Sequence, residues 1–220
     1  SVGAGGNLGA NTTGANNTAL GYASLSANTT ASNNVAVGLS ALGANTTGTQ
    51  NTALGTESLL ANTTGGNNTG LGYFSLGSNT TGGDNVAVGY AALDANTTAS
   101  GNTAIGRSAL TANTTGANNT AVGINSLGTN TTGQSNVAMG YHAAVSATTA
   151  SNNVVIGFTA GHDLSTGSNN TFMGTEAGYA NTTGQRNAAF GKSALGATTT
   201  GQLNCGFGAF AGAGITTGAR

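Results

Sequence analysis

Among 220 residues only nine side chains carry a formal charge, so the places where acid–base or metal chemistry could occur are few. The tightest gathering is His162, Asp163, Glu176 and Arg186, residue types that together could ligate a metal or move a proton. Solvated surface residues account for the same four, and no catalytic, cofactor or metal site is assigned to them. Glu57 and Glu176 occupy equivalent places in a seventeen-residue repeat. They stand seven repeats apart, roughly 34 Å at a ~4.8 Å strand spacing, too far for a two-carboxylate mechanism. Cys205 is the single cysteine, which excludes an internal disulfide and reads as a small buried hydrophobe. The chain is therefore expected not to be an enzyme and to need no cofactor.

The elements that must position these side chains come from that repeat. "NTALG" at Asn17 to Gly21 returns as "NVAVG" at Asn34 to Gly38 and as "NTALG" at Asn51 to Gly55. With that Asn as column 0, Asn recurs without insertion at Asn17, Asn34, Asn51, Asn68, Asn85, Asn102, Asn119, Asn136, Asn153, Asn170, Asn187 and Asn204. Column 4 is Gly from Gly21 through Gly208, and column 13 is Thr in thirteen copies from Thr13 to Thr217. A fixed period without slack makes each repeat one structural unit stacked on the next. Residues 1–220 thus read as a single repeat domain of thirteen seventeen-residue rungs. A start at Ser1 rather than Met, and ends that fall inside the repeat without a charged or polar cap, suggest a segment of a longer fibre.

Asn, Thr, Gly and Val favour strands and turns, and seventeen residues are too few for a helical repeat. The expected fold is all-β, a parallel β-solenoid. Columns 0 to 4 alternate in character and end on Gly, the pattern of a short strand running into a turn. Leu at column 8, in nine rungs including Leu25, Leu110 and Leu195, is expected to fill the interior. It is missing at Ala144, Gly161, Gly178 and Gly212, where Phe158, Phe172, Phe190, Phe207 and Phe210 are expected to return the lost volume. The Asn column reads as a structural ladder, because a side-chain amide both donates and accepts along the stack.

Composition excludes several function classes. The chain has 39 Gly, no Pro and a formal net charge of −1, and its basic residues Arg107, Arg186, Lys192 and Arg220 are scattered, so nothing marks a nucleic-acid surface. No apolar run reaches the ~20 residues of a membrane-spanning helix, so no membrane insertion by this segment is expected. The Asn-x-Thr triplets match the glycosylation acceptor pattern but arise automatically in a repeat built of Asn and Thr. Tyr22, Tyr73, Tyr90, Tyr141 and Phe158 share column 5. Such a stripe either binds a glycan or a partner chain, or packs over the turn.

The units "NVAVG" at Asn34 and Asn85, "NVAMG" at Asn136 and "NVVIG" at Asn153 resemble the head repeats of the YadA-type trimeric autotransporter adhesins. The longer unit from Asn118 to Gly133 resembles repeats of phage tail-fibre-like proteins. This resemblance covers the whole chain and implies a left-handed β-roll, three chains side by side, and display at a cell or virion surface for attachment to a host glycan or protein receptor. The family's head repeat is shorter, and the extra length here surrounds the NTTG block.

Self-association is supported separately by the strand itself, which is apolar on both faces while only one can face the coil's interior, so partner chains would cover the other. Twelve rungs of a stripe roughly 8 Å wide would expose on the order of 450 Å² of apolar surface, the size that marks an interaction site. Two other readings are a filament subunit stacking end to end and an ice-binding solenoid. Consecutive Thr at columns 12 and 13 point to opposite faces of a strand, which argues against a flat two-column Thr array.

Overall fold

The computed structural model describes residues 6–218; Arg220 lies outside them, as do residues 1–4, where the strand of the first expected rung falls. The chain divides into two compact units, Ser1–Ser108 and Ala109–Arg220. The first unit carries strands β1 (Thr18–Leu20), β2 (Val35–Val37), β3 (Thr52–Leu54), β4 (Thr69–Leu71), β5 (Val86–Val88) and β6 (Thr103–Ile105). Each pairs in parallel with the next at a shift of one repeat, so Thr18 faces Val35 and Val88 faces Ile105. The second unit repeats the arrangement with β7 (Thr120–Val122), β8 (Val137–Met139), β9 (Val154–Ile156), β10 (Thr171–Met173), β11 (Ala188–Phe190) and β12 (Cys205–Phe207). The fold is an all-β parallel β-solenoid of about 11 turns with a seventeen-residue repeat, and no helix occurs among the described residues.

Column 4 explains why each strand stops after three residues. Gly21 and Gly55 sit at φ +134° and +141°, where a Cβ would lie 2.4 Å from the carbonyl oxygen of Gly38 or Gly72 in the next rung. Only glycine fits such a turn. Columns 6 and 8 are then left-handed as well, with Ala23 at φ 56° and Leu25 at φ 49°. A left-handed Leu costs roughly 1–2 kcal/mol, whereas burying its side chain contributes ~1.5–3 kcal/mol. Leu25, Leu42, Leu59, Leu76, Leu93, Leu110, Leu127 and Leu195 are essentially fully buried, so packing decides the conformation. Backbone hydrogen bonds join rungs outside the strands too, as from Leu25 N–H to Ala41 O at 3.0 Å and from Ser40 N–H to Tyr22 O at 2.9 Å.

Column 2 points inward. Ala36, Ala53, Ala87, Ala104, Ala121, Ala138 and Ala189 are fully buried, while the larger residues of columns 1 and 3 face out. The interior is narrow: a column 8 Leu fills it opposite column 2 Ala.

The structure corrects two expectations. Of the five phenylalanines expected to compensate for missing Leu, Phe172 is fully buried, whereas Phe158, Phe207 and Phe210 are exposed and Phe190 is half-buried. Phe172 lies at column 2, where its ring occupies the space next to Gly161 and Gly178; the other four lie at columns 3, 5 and 6, which do not face the core. Cys205 is exposed rather than buried, because column 1 faces outward.

Candidate functional site

The column 0 asparagines lie inside the coil. Asn34, Asn51, Asn68, Asn85 and Asn102 in the first unit, and Asn119, Asn136, Asn153, Asn170, Asn187 and Asn204 in the second, are buried, and Asn17 is half-buried. The side-chain oxygen works between rungs: Asn51 Oδ1 accepts from the backbone N–H of Asn68 at 2.9 Å, and Asn170 Oδ1 from that of Asn187 at 2.9 Å, whereas Asn204 Oδ1 has no partner among the described residues. The side-chain nitrogen donates to the column 14 carbonyl of its own rung, as Asn51 does to Gly65 O at 2.9 Å, and in places also to the preceding column 0 amide, as Asn85 does to Asn68 Oδ1 at 3.1 Å.

Column 11 forms a second ladder that reading the sequence missed. Asn62 Nδ2 donates to Asn45 Oδ1 at 2.9 Å and to Gly65 O at 3.0 Å, so both amides of a rung meet on one carbonyl. The signal was present, since Asn11, Asn28, Asn45, Asn62, Asn79, Asn96, Asn113 and Asn130 recur at the same period. Ala147 and Leu164 then interrupt the column, and beyond them Asn181 is buried with neither side-chain atom hydrogen-bonded among the described residues.

The column 5 aromatics are exposed, Tyr22 to 65% and Phe158 to 55%. They do not form one stripe. Tyr73 and Tyr90 stack at 5.5 Å in the first unit, Tyr141 and Phe158 stack at 5.4 Å in the second, and Tyr22 is separated from Tyr73 by Leu39 and Thr56. Beside them columns 1 and 3 expose Val35, Leu54, Ile105 and Met139. Over the six strands of one unit, columns 1 to 5 present on the order of 350–400 Å² of largely apolar surface, from ~4.8 Å between strands and ~3.3 Å per residue.

The four residues that could do chemistry are only partly brought together. His162 Nδ1 and Asp163 Oδ1 are 2.7 Å apart, and Glu176 Oε2 accepts from Ser193 Oγ at 3.0 Å. Arg186 is exposed at column 16 and forms no ion pair among the described residues. Among those residues no group of three His, Cys, Asp or Glu side chains stands close enough to hold a metal ion. Around the cluster rings pile along the stack: His142 and His162 lie 6.4 Å apart, and His162 stacks on Tyr179 at 4.9 Å and 6°. Next to Tyr179 opens a cavity of about 430 Å³ lined by Glu176, Tyr179, Ser193, Gly196, Ala197 and Ala213. Neither Tyr179 nor Ser193 was singled out from sequence, because the cavity depends on the small residues that succeed Tyr179 in column 9.

One carboxyl elsewhere is perturbed. Burial pushes Asp94 above its ordinary value of 3.8, and its Oδ1 has no hydrogen-bond partner among the described residues. No family model, no curated protein and no solved structure matches the chain.

Proposed function

We propose that this chain is a non-enzymatic segment of a homotrimeric surface fibre, either an adhesin head or a tail-fibre shaft, that mediates attachment to a cell surface. Three chains of thirteen rungs lie side by side in left-handed rolls, outside the cell or on a virion, with columns 1 and 3 forming the seam. The number three, the handedness and the location come from the resemblance to YadA-type heads and tail-fibre repeats.

The observation that carries the reading is the direction of the strand. The small residues point in while Leu54, Ile105 and Met139 point out, and neither exposed strand column bears a charge along its length. The narrow interior, filled by the column 8 leucines, takes the strand's alanines and leaves its larger apolar residues outside, where a partner chain would cover them. The Thr columns speak against ice binding: column 12 hydroxyls are taken up by carbonyls of the next rung, as Thr46 Oγ1 donates to Thr63 O at 3.1 Å, which leaves column 13 as a single exposed row.

Two substitutions test the seam. Val122→Glu sets like charges against one another across a dry interface, so the assembly is expected to separate into folded chains. Ala104→Glu instead buries a charge inside each coil and is expected to unfold it. If Val122→Glu leaves the mass in solution unchanged, columns 1 and 3 are not the seam.

A further inference from the structure

We propose that the cavity beside Tyr179 is a binding site for a neutral pyranose sugar. The site is built by a step in column 9. His162 and Tyr179 project from successive rungs, and the following two rungs carry only Gly196 and Ala213 in that column. His162 covers one face of the Tyr179 ring, and the ring's other side borders the cavity because no side chain at Gly196 covers it. An aromatic ring already stacked on one side is a rigid platform. It offers apolar area at little entropic cost, and the C–H face of a pyranose is the ligand surface that matches it.

The polar groups fix the class further. Tyr179 N–H donates to the carbonyl of Glu176 at 3.3 Å, so one tight turn presents the ring and the carboxylate at the same rim. Glu176 Oε2 is held by the Ser193 hydroxyl at 3.0 Å, while Oε1 has no partner among the described residues and is available to accept from a sugar hydroxyl. The nearest cations in sequence, Arg186 and Lys192, do not line the cavity, and Lys192 has its Nζ over the Phe210 ring at 5.9 Å. A lining carboxylate with no Lys or Arg among the lining residues disfavours sialylated or phosphorylated sugars, leaving a neutral hexose as the ligand. The volume of about 430 Å³ suits one or two sugar rings. The inference deepens the attachment role proposed above and rests on it for why a sugar would be met.

The test is saturation-transfer NMR on the full chain with methyl β-D-glucopyranoside, methyl β-D-galactopyranoside and sialic acid as probes at millimolar concentration. Light scattering is run on the same samples. At least one of the two neutral glycosides is expected to receive saturation and sialic acid none. The signal should be lost in Tyr179→Ala and in Ala213→Phe, which fills the cavity, weakened in Glu176→Gln, and kept in Tyr73→Ala. Circular dichroism confirms that each variant is folded. No saturation of either neutral glycoside by the unmodified chain overturns the proposal, as does an equal signal from folded Tyr179→Ala, or a signal lost only in Tyr73→Ala. A chain of three-fold mass that binds no sugar sinks this site alone, whereas a monomer that binds sugar through Tyr179 keeps the site and sinks the trimer.

Discussion

Asn62 Nδ2 donates to Oδ1 of Asn45, its equivalent one rung earlier, at 2.9 Å, and both side chains are completely buried. The link repeats from Asn28 to Asn79, so an amide that would be costly to bury alone is satisfied by its own copies.

Asn62→Ala strips a donor from Asn45 and an acceptor from Asn79 at once. It is expected to destabilise the fold by about 1–3 kcal/mol in urea unfolding, because buried polar atoms are left unmade. Thr64→Ala, two residues away and exposed, is expected to change little. Equal effects of the two would remove the ladder from the account.

Asn181 is the reverse case. Its amide is buried without partners among the described residues, and the same column holds the fully buried Leu164 one rung before. Asn181→Leu is expected to stabilise by roughly 1 kcal/mol, since the unsatisfied polar group disappears and an apolar neighbour is gained. A drop in melting temperature would mean that the amide has a role.

Phe172 stands in for the missing column 8 leucines. Phe172→Ala is expected to cost about 3–5 kcal/mol through the cavity it leaves. The double variant Phe172→Ala, Gly178→Leu restores the Ala and Leu combination of the other rungs, with Leu at the same left-handed φ that Leu110 already holds at 51°. Most of the loss should return in thermal unfolding; simple additivity of the two changes would contradict the packing argument.

Asp94 supplies a pH dependence. Its folded value is raised by burial, so the folded chain favours the protonated carboxyl. That contribution is fully present below the ordinary value of 3.8 and is lost as pH rises through the folded value. Asp94→Asn should therefore melt higher than the unmodified chain at neutral pH, and the difference should shrink on acidification. A difference that grows as pH falls would assign the opposite sign.

Much of this fold was legible because the repeat has no slack: Gly at column 4 announced the turn, and Leu at column 8 announced the interior. The strand's direction was not. Alternation from Thr120 through Ala121 to Val122 is apolar on both faces, and only the width of the coil, filled by Leu opposite Ala, decides that Ala121 goes in. The column 11 amides were equally periodic, but whether an Asn bonds a neighbouring amide or solvent depends on burial that spacing does not supply. The rim beside Tyr179 depends on a ring followed along the stack by Gly196, a relation between rungs that becomes visible once their register is known.

The central claim is that the outward apolar columns cover one another in a complex of three chains. Sedimentation equilibrium of the unmodified chain at micromolar concentration tests it most directly. The account predicts one species of three times 20.9 kDa, stable to dilution and converted to folded single chains by Val122→Glu. A soluble, folded monomer of 20.9 kDa would contradict it.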